Sequence, residues 1–167
     1  MNSKQVVAAV SAIVLVIIVV YPAVAVGTVS VSLASAKISK ADHVYVTVRS
    51  VWAHPKGQVS GAAWVLISNQ TVSEDLVSLE NSSKLLGSGQ VSSGDYDSIR
   101  VQVSNATWVF NKTTTVLGVA SPQIDAPIDF TAGAAKTTNI LVTVSAQEEL
   151  IANSTYFAGT MNATLTP

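Results

Sequence analysis

The chain reads as a mainly β protein: a single β-sandwich of the immunoglobulin-like kind, preceded by a hydrophobic N-terminal helix. Three observations carry this expectation. Residues 5–36 hold no charged side chain, and the run divides at Tyr21-Pro22 into an unbroken apolar half and an alternating half. From Ala41 onward, short stretches rich in Val, Ile, Thr and aromatics recur between Gly, Pro, Asn and Ser punctuation, the pattern of strands and turns. Cysteine is absent while Asn-x-Ser/Thr triplets abound. The expected division is residues 1–25 for the helix and 26–167 for the sandwich head.

The first half of the uncharged run, Val6 to Val20, is Val, Ile, Ala and Leu with one Ser. Three roles fit it. As a signal peptide it has a short n-region with Lys4, an apolar h-region, a helix-breaking Pro22 and Ala23-Val24-Ala25 as an A-x-A cleavage site before Val26. As a membrane anchor, Val6 to Val26 is long enough, at about 1.5 Å per residue, to cross a hydrocarbon layer of about 30 Å. As a pilin-type helix it is trimmed, kept and packed against copies of itself, with Val14, Val16 and Ile17 in the contact. All three place the head outside the cytoplasm, extracellular or at the cell surface, and any membrane contact runs through this helix alone. The second half alternates as a strand, with Val29, Val31 and Leu33 on one face and Thr28, Ser30 and Ser32 on the other.

Composition narrows the function classes. A formal net charge of -1 with few charged residues, including only Arg49 and Arg100 as arginines, gives no electrostatic footprint for nucleic acid. Without cysteine there is neither a disulfide framework nor a thiolate metal site. The remaining surface is Ser, Thr, Asn, Gly and Ala, neutral and in need of cover. Six of the eight asparagines stand in glycosylation triplets, at Asn69, Asn81, Asn105, Asn111, Asn153 and Asn162. With Ser and Thr about a fifth of the chain, chance accounts for one or two of these, so dense N-glycosylation is expected. This density suits an archaeal surface glycoprotein.

The strands follow in order. Val44, Val46, Val48, Ser50 and Trp52 share one face of a long strand, with Tyr45, Thr47 and Arg49 opposite, and His54-Pro55-Lys56-Gly57 turns the chain. Trp64 to Ile67 returns. Glu74 to Leu79 fits a helical turn or a strand, and a brief extended piece lies between Ser88-Gly89 and Ser92-Ser93-Gly94. Tyr96 to Val103 puts Ile99, Val101 and Val103 inward; inward parity then passes to Ala106, Trp108 and Phe110, so a bulge is expected near Ser104-Asn105. That slip leaves Asn105, Thr107 and Asn111 on the face away from Trp108. Thr114 to Ala120, Ile124 to Phe130, Thr137 to Ser145 and Tyr156 to Leu165 supply further strands, and Ala146 to Ala152 a helical turn.

The order of features resembles a family of exported β-sandwich domains known as domain of unknown function 4382. The residues that carry the resemblance are Gly27-Thr-Val-Ser-Val-Ser-Leu33, Val44-Tyr-Val-Thr-Val-Arg-Ser-Val51 running to His54, Trp64-Val-Leu66, Asp75-Leu-Val-Ser-Leu79 and Ser93-Gly-Asp-Tyr-Asp-Ser-Ile-Arg-Val101. Ala34-Ser-Ala36 departs from the turn usual there. The resemblance implies a prealbumin-like or carbohydrate-binding-like sandwich and no established chemistry. In architecture and composition the chain also resembles subunits of archaeal pili and thread-like filaments.

Catalytic groups are sparse. His43 and His54 are the only histidines; His43 is expected to face solvent and His54 to sit at a turn. Asp95 with Asp97, and Asp125 with Asp129, share strand parity and are the carboxylate pairs available to a glycosidase, but solvated charges explain them. Asp95 and Asp97 after Gly94 lack the spacing of a calcium loop. Trp52, Trp64 and Trp108 are expected in the core. The expected function is therefore that of a non-enzymatic subunit of an extracellular pilus-like filament, with no cofactor and no bound metal. It polymerises with copies of itself either through Val14, Val16 and Ile17 in a helical core or through Val29, Val31 and Leu33 in a donated strand. The alternative is an anchored or secreted carbohydrate-binding or adhesive module that meets surface glycans or other cells, marked by an exposed aromatic pair such as Trp52 with Tyr45.

Overall fold

The structure is a computed structural model that describes residues 25–59, 63–148 and 155–167. Its strands are β1 (Val26–Ser35), β2 (His43–Pro55), β3 (Val65–Ser68), β4 (Val72–Asp75), β5 (Lys84–Ser92), β6 (Gly94–Phe110), β7 (Thr113–Val119), β8 (Gln123–Ala132), β9 (Thr137–Ala146), β10 (Tyr156–Phe157) and β11 (Gly159–Thr166), with a 3₁₀ turn at Leu76–Leu79. They form two sheets. The smaller runs β11-β9-β1-β5; the larger runs β10-β7-β6-β2-β3, with β4 also on β2 and β8 also on β6. The chain is mainly β, as its punctuation predicts. The expected N-terminal helix, with Val14, Val16 and Ile17, lies outside the described residues, as does most of the turn expected at Ala146 to Ala152. Among the described residues no helix is long and apolar enough to cross a membrane.

Alternation decides which faces meet. Val29, Val31 and Leu33 of β1, Ile140, Val142 and Val144 of β9, Val44, Val46 and Val48 of β2, and Ile99, Val101 and Val103 of β6 are all buried in one core. β1 is an interior strand. It pairs antiparallel with β5 from Val26↔Ser92 to Leu33↔Lys84 and parallel with β9 from Thr28↔Thr137 to Ser35↔Val144. Its start is tied down as well: Ser93 N–H donates to Ala25 O at 2.7 Å and Ala135 N–H to Val26 O at 2.8 Å.

The slip expected near Ser104-Asn105 is present. Thr47 pairs with Asn105 but Val48 with Val103, which leaves Ser104 as the extra residue. A compensating bulge follows immediately on β2, because Val48↔Val103 is succeeded by Ser50↔Gln102 and Arg49 is skipped. This second bulge corrects the expectation for Ser50 and Trp52. Past Arg49 the inward positions are Val51 and Ala53, both buried in the core, while Ser50, Trp52 and His54 turn to the outer face. Phe110 is also not inward: it is 48% exposed, since β2 begins at His43↔Val109 and gives Phe110 no neighbour on that side. Asn111 (φ 48) and Lys112 (φ 62) then make a two-residue hairpin turn into β7, with the left-handed conformations of a type I′ turn.

The ambiguous Glu74 to Leu79 splits in two. β4 ends at Asp75, whose carboxylate accepts from Val44 N–H and Val77 N–H, each at 3.1 Å, and from His43 Nδ1 at 2.7 Å. One side chain thus caps the 3₁₀ turn and pins it to the start of β2. Leu76 and Leu79 drop into the core from that turn.

Candidate functional site

Beyond the Arg49 bulge, the outer face of the larger sheet carries three cross-strand rows: Ser50–Gln102–Gln123, Trp52–Arg100–Asp125 and His54–Ser98–Pro127. Period-two alternation on β2, β6 and β8 brings these residues together. Arg100 lies at the centre. Its Nε and Nη2 donate to the two oxygens of Asp125 at 2.6 and 2.8 Å, and its guanidinium sits 3.8 Å from the centre of the Trp64 ring. The Asp125 hydrogen bond raises the Arg100 pKa above the ordinary arginine value, so this cation is permanent.

The neighbours are locked in turn. Trp52 Nε1 donates to Ser50 Oγ at 2.9 Å, and Ser50 Oγ donates to Gln102 Oε1 at 2.8 Å. His54 Nδ1 donates to Asp97 Oδ1 at 2.8 Å, and its ring lies 5.0 Å from that of Trp64. Two hollows open here. One of about 420 Å³ is lined by His54, Gln58, Trp64, Asp97, Ser98, Arg100 and Asp125, and one of about 200 Å³ by Trp52, Trp64, Arg100, Gln102 and Gln123. Trp64 and Arg100 belong to both, so the hollows are the two ends of one groove. His54 Nε2 and Trp64 Nε1 are buried with no hydrogen-bond partner.

A third hollow, about 240 Å³, lies at the end where β1 begins, lined by Lys56, Asp95, Tyr96, Asp129, Phe130 and Thr131. Lys56 Nζ donates to Asp129 at 2.9 Å, and that bond, with the nearby carboxylates, raises the lysine pKa. Tyr96 stacks on Phe130 at 5.1 Å and its hydroxyl donates to Ser92 O at 2.9 Å, while burial raises its pKa. The sign follows from burial disfavouring the phenolate. The Tyr96 contribution to stability is complete below the unfolded value of about 10 and is lost as pH rises through the higher folded value. Tyr96→Phe is expected to cost about 1 kcal/mol at neutral pH and to flatten the loss of melting temperature above pH 10, read by circular dichroism.

The residues singled out in the sequence divide. Val29, Val31 and Leu33 are together, but in the core of their own head. His43 is exposed as expected and stacks on Tyr45, whereas His54 is buried rather than a surface turn residue. The β2–β3 connection explains this, because Trp64 is carried back against the His54 ring. Of the tryptophans only Trp108 is in the core; Trp52 and Trp64 are half-buried on the outer face. Tyr45 shares that face but stands seven residues from Trp52, roughly 23 Å along the strand, so the aromatic that lines a hollow with Trp52 is Trp64. The carboxylates do not act as pairs: Asp95 accepts from Thr131, Asp97 from His54, Asp125 from Arg100 and Asp129 from Lys56. Among the described residues no cluster of three or more metal-ligating side chains occurs. Arg100, Gln102 and Gln123 escape sequence reasoning, although each sits at the outward parity of its strand.

The glycosylation triplets have a common geography. Asn69, Asn81, Asn105, Asn111 and Asn162 are all exposed, and Asn153 lies outside the described residues. Asn162 pairs opposite Thr143, itself opposite Ala34 at the end of β1. Asn81 precedes Lys84, the partner of Leu33; Asn105 pairs with Thr47 near the start of β2; Asn111 is at the hairpin tip beyond His43. These four gather at the end of the sandwich where β1 finishes, and Asn69 follows Ser68, opposite Val51 midway along β2. None of the five is at the Ala25 end.

The family model described as Domain of unknown function (DUF4382) matches residues 26–158. No curated protein and no solved structure matches the chain. The chain belongs to the DUF4382 family.

Proposed function

We propose that this DUF4382 chain is a non-enzymatic, glycosylated subunit of an extracellular pilus-like filament, of the archaeal kind, that assembles with copies of itself through its N-terminal segment. The observation that carries this reading is polarity. The apolar segment joins the head at Ala25, and four of the five described glycan acceptors gather at the other end, with Asn69 midway. Sugar on those asparagines covers the outward end of the head and leaves the end that bears the segment free to pack. The parallel β1–β9 pairing inside a four-stranded sheet is the reason to read the head as prealbumin-like.

β1 favours the retained-helix form of assembly over strand donation. Its slot is filled by its own chain, with hydrogen bonds on both flanks, so a subunit needs no rearrangement to enter a filament whose core is made of segments 6–20. The same strand makes the segment a firm handle, because a pull at Ala25 loads two ladders at once. Val14, Val16 and Ile17 are the contact positions. Replacing Ile17 by Asp places a charge in an apolar bundle, at a cost of several kcal/mol. Filaments are expected to disappear from sheared cell material in electron micrographs, while the head keeps its circular dichroism spectrum and melting temperature. Filaments of normal abundance with Ile17→Asp would remove the helical core from the account.

A further inference from the structure

We propose that the outer-face groove built on Trp52, Trp64 and Arg100 is a binding site for a neutral saccharide, which gives the head a recognition role beyond assembly. Size is the first argument. The two hollows, about 420 and 200 Å³, adjoin at Trp64 and Arg100, and the larger alone has the volume of small-molecule pockets. The lining is the second. The Trp52 indole and the part of Trp64 left uncovered by Arg100 and His54 offer apolar surface for the C–H faces of a sugar ring, and the amides of Gln58, Gln102 and Gln123 offer both donors and acceptors for hydroxyls. An apolar ligand would strip water from those amides without replacing their hydrogen bonds.

Charge selects against an acid. Among the described residues Arg100 is the only arginine or lysine lining the groove, and Asp125 already holds it in a two-point ion pair. Asp97 adds a further carboxylate at the wall. An anionic sugar or phosphate meets a guanidinium already neutralised by Asp125 and faces two carboxylates, whereas a neutral sugar leaves the pair intact. His54 Nε2 and Trp64 Nε1, on two of the lining residues, are buried without a hydrogen-bond partner. The groove lies toward the Ala25 end of the larger sheet, away from Asn105 and Asn111.

The test uses the full chain in a non-glycosidic detergent, titrated with maltohexaose, cellohexaose, mannotriose and, as the anionic comparison, a galacturonic acid hexamer. Binding is read by tryptophan fluorescence and by calorimetry. At least one neutral oligosaccharide is expected to bind with a dissociation constant of about 1 mM or tighter, and Trp64→Ala to weaken it about tenfold or more. Because Trp64→Ala can disturb β3, Gln123→Ala is measured beside it; this exposed side chain leaves the fold alone and is expected to weaken binding about threefold or more. Tyr45→Ala, distant on the same face, is expected to change nothing. The proposal is overturned if no neutral oligosaccharide binds, if only the galacturonate hexamer binds, or if neutral binding survives Trp64→Ala and Gln123→Ala unchanged.

Discussion

A chain that begins at Lys37 is expected not to fold on its own, and a synthetic peptide of residues 26–35 is expected to restore it. Deleting β1 removes an interior strand, so β9 becomes a bare edge and β5, already an edge, is left without its sheet partner, both with unpaired N–H and C=O groups. It also empties the core of Val29, Val31 and Leu33, each about 1% exposed or less and each contributing about 1.5–3 kcal/mol by burial. That sum approaches the whole stability of a domain this size, about 5–15 kcal/mol. The shortened chain should show no cooperative thermal transition; with the peptide in excess the transition should return, at a temperature that rises with peptide concentration. A cooperative melt without the peptide would show β1 to be an accessory.

Gly89→Val is expected to destabilise the head by about 3 kcal/mol, a fall of roughly 10 °C in melting temperature. A Cβ at position 89 would stand 2.0 Å from Ile67 O and 2.9 Å from Ile67 C. Those are backbone atoms of β3, in the opposite sheet, so no side-chain rotation relieves the clash. The sandwich closes along this edge because β5 has no side chain there. Ser88→Val, at the exposed neighbouring position, is expected to shift stability by less than about 0.5 kcal/mol. Equal effects of the two substitutions would mean the β3–β5 approach is looser than the structure shows.

The strands were legible because their alternation is strong. Val29 to Leu33, Val44 to Val48 and Ile99 to Val103 each have one face fit only for a core, and the parity change at Ser104-Asn105 left a mark that the register confirms. The bulge at Arg49 left none. Ser50 and Trp52 continue the parity of Val48 in sequence, and only the partner strand reveals that Arg49 is skipped. The groove was hidden by the same event, since it consists of residues that the bulge turned outward and of a tryptophan that the β2–β3 connection folds back over them. Spacing along one strand cannot show that Trp52, Arg100 and Asp125 stand in one row; that is a fact of two registers. Asn111-Lys-Thr113 was legible as a glycosylation triplet but not as a hairpin tip, because Lys112 lacks the glycine that usually marks a type I′ turn.

The filament reading is tested most directly by shearing cells, imaging the released material by electron microscopy and sequencing the N-terminus of the main protein band. The account predicts regular filaments whose subunit is this chain, begins within the first seven residues and so keeps Val14, Val16 and Ile17. A subunit that begins at Val26 would replace the helical core with exchange of β1 between heads. Only monomers, in the sheared and detergent fractions alike, would contradict the account.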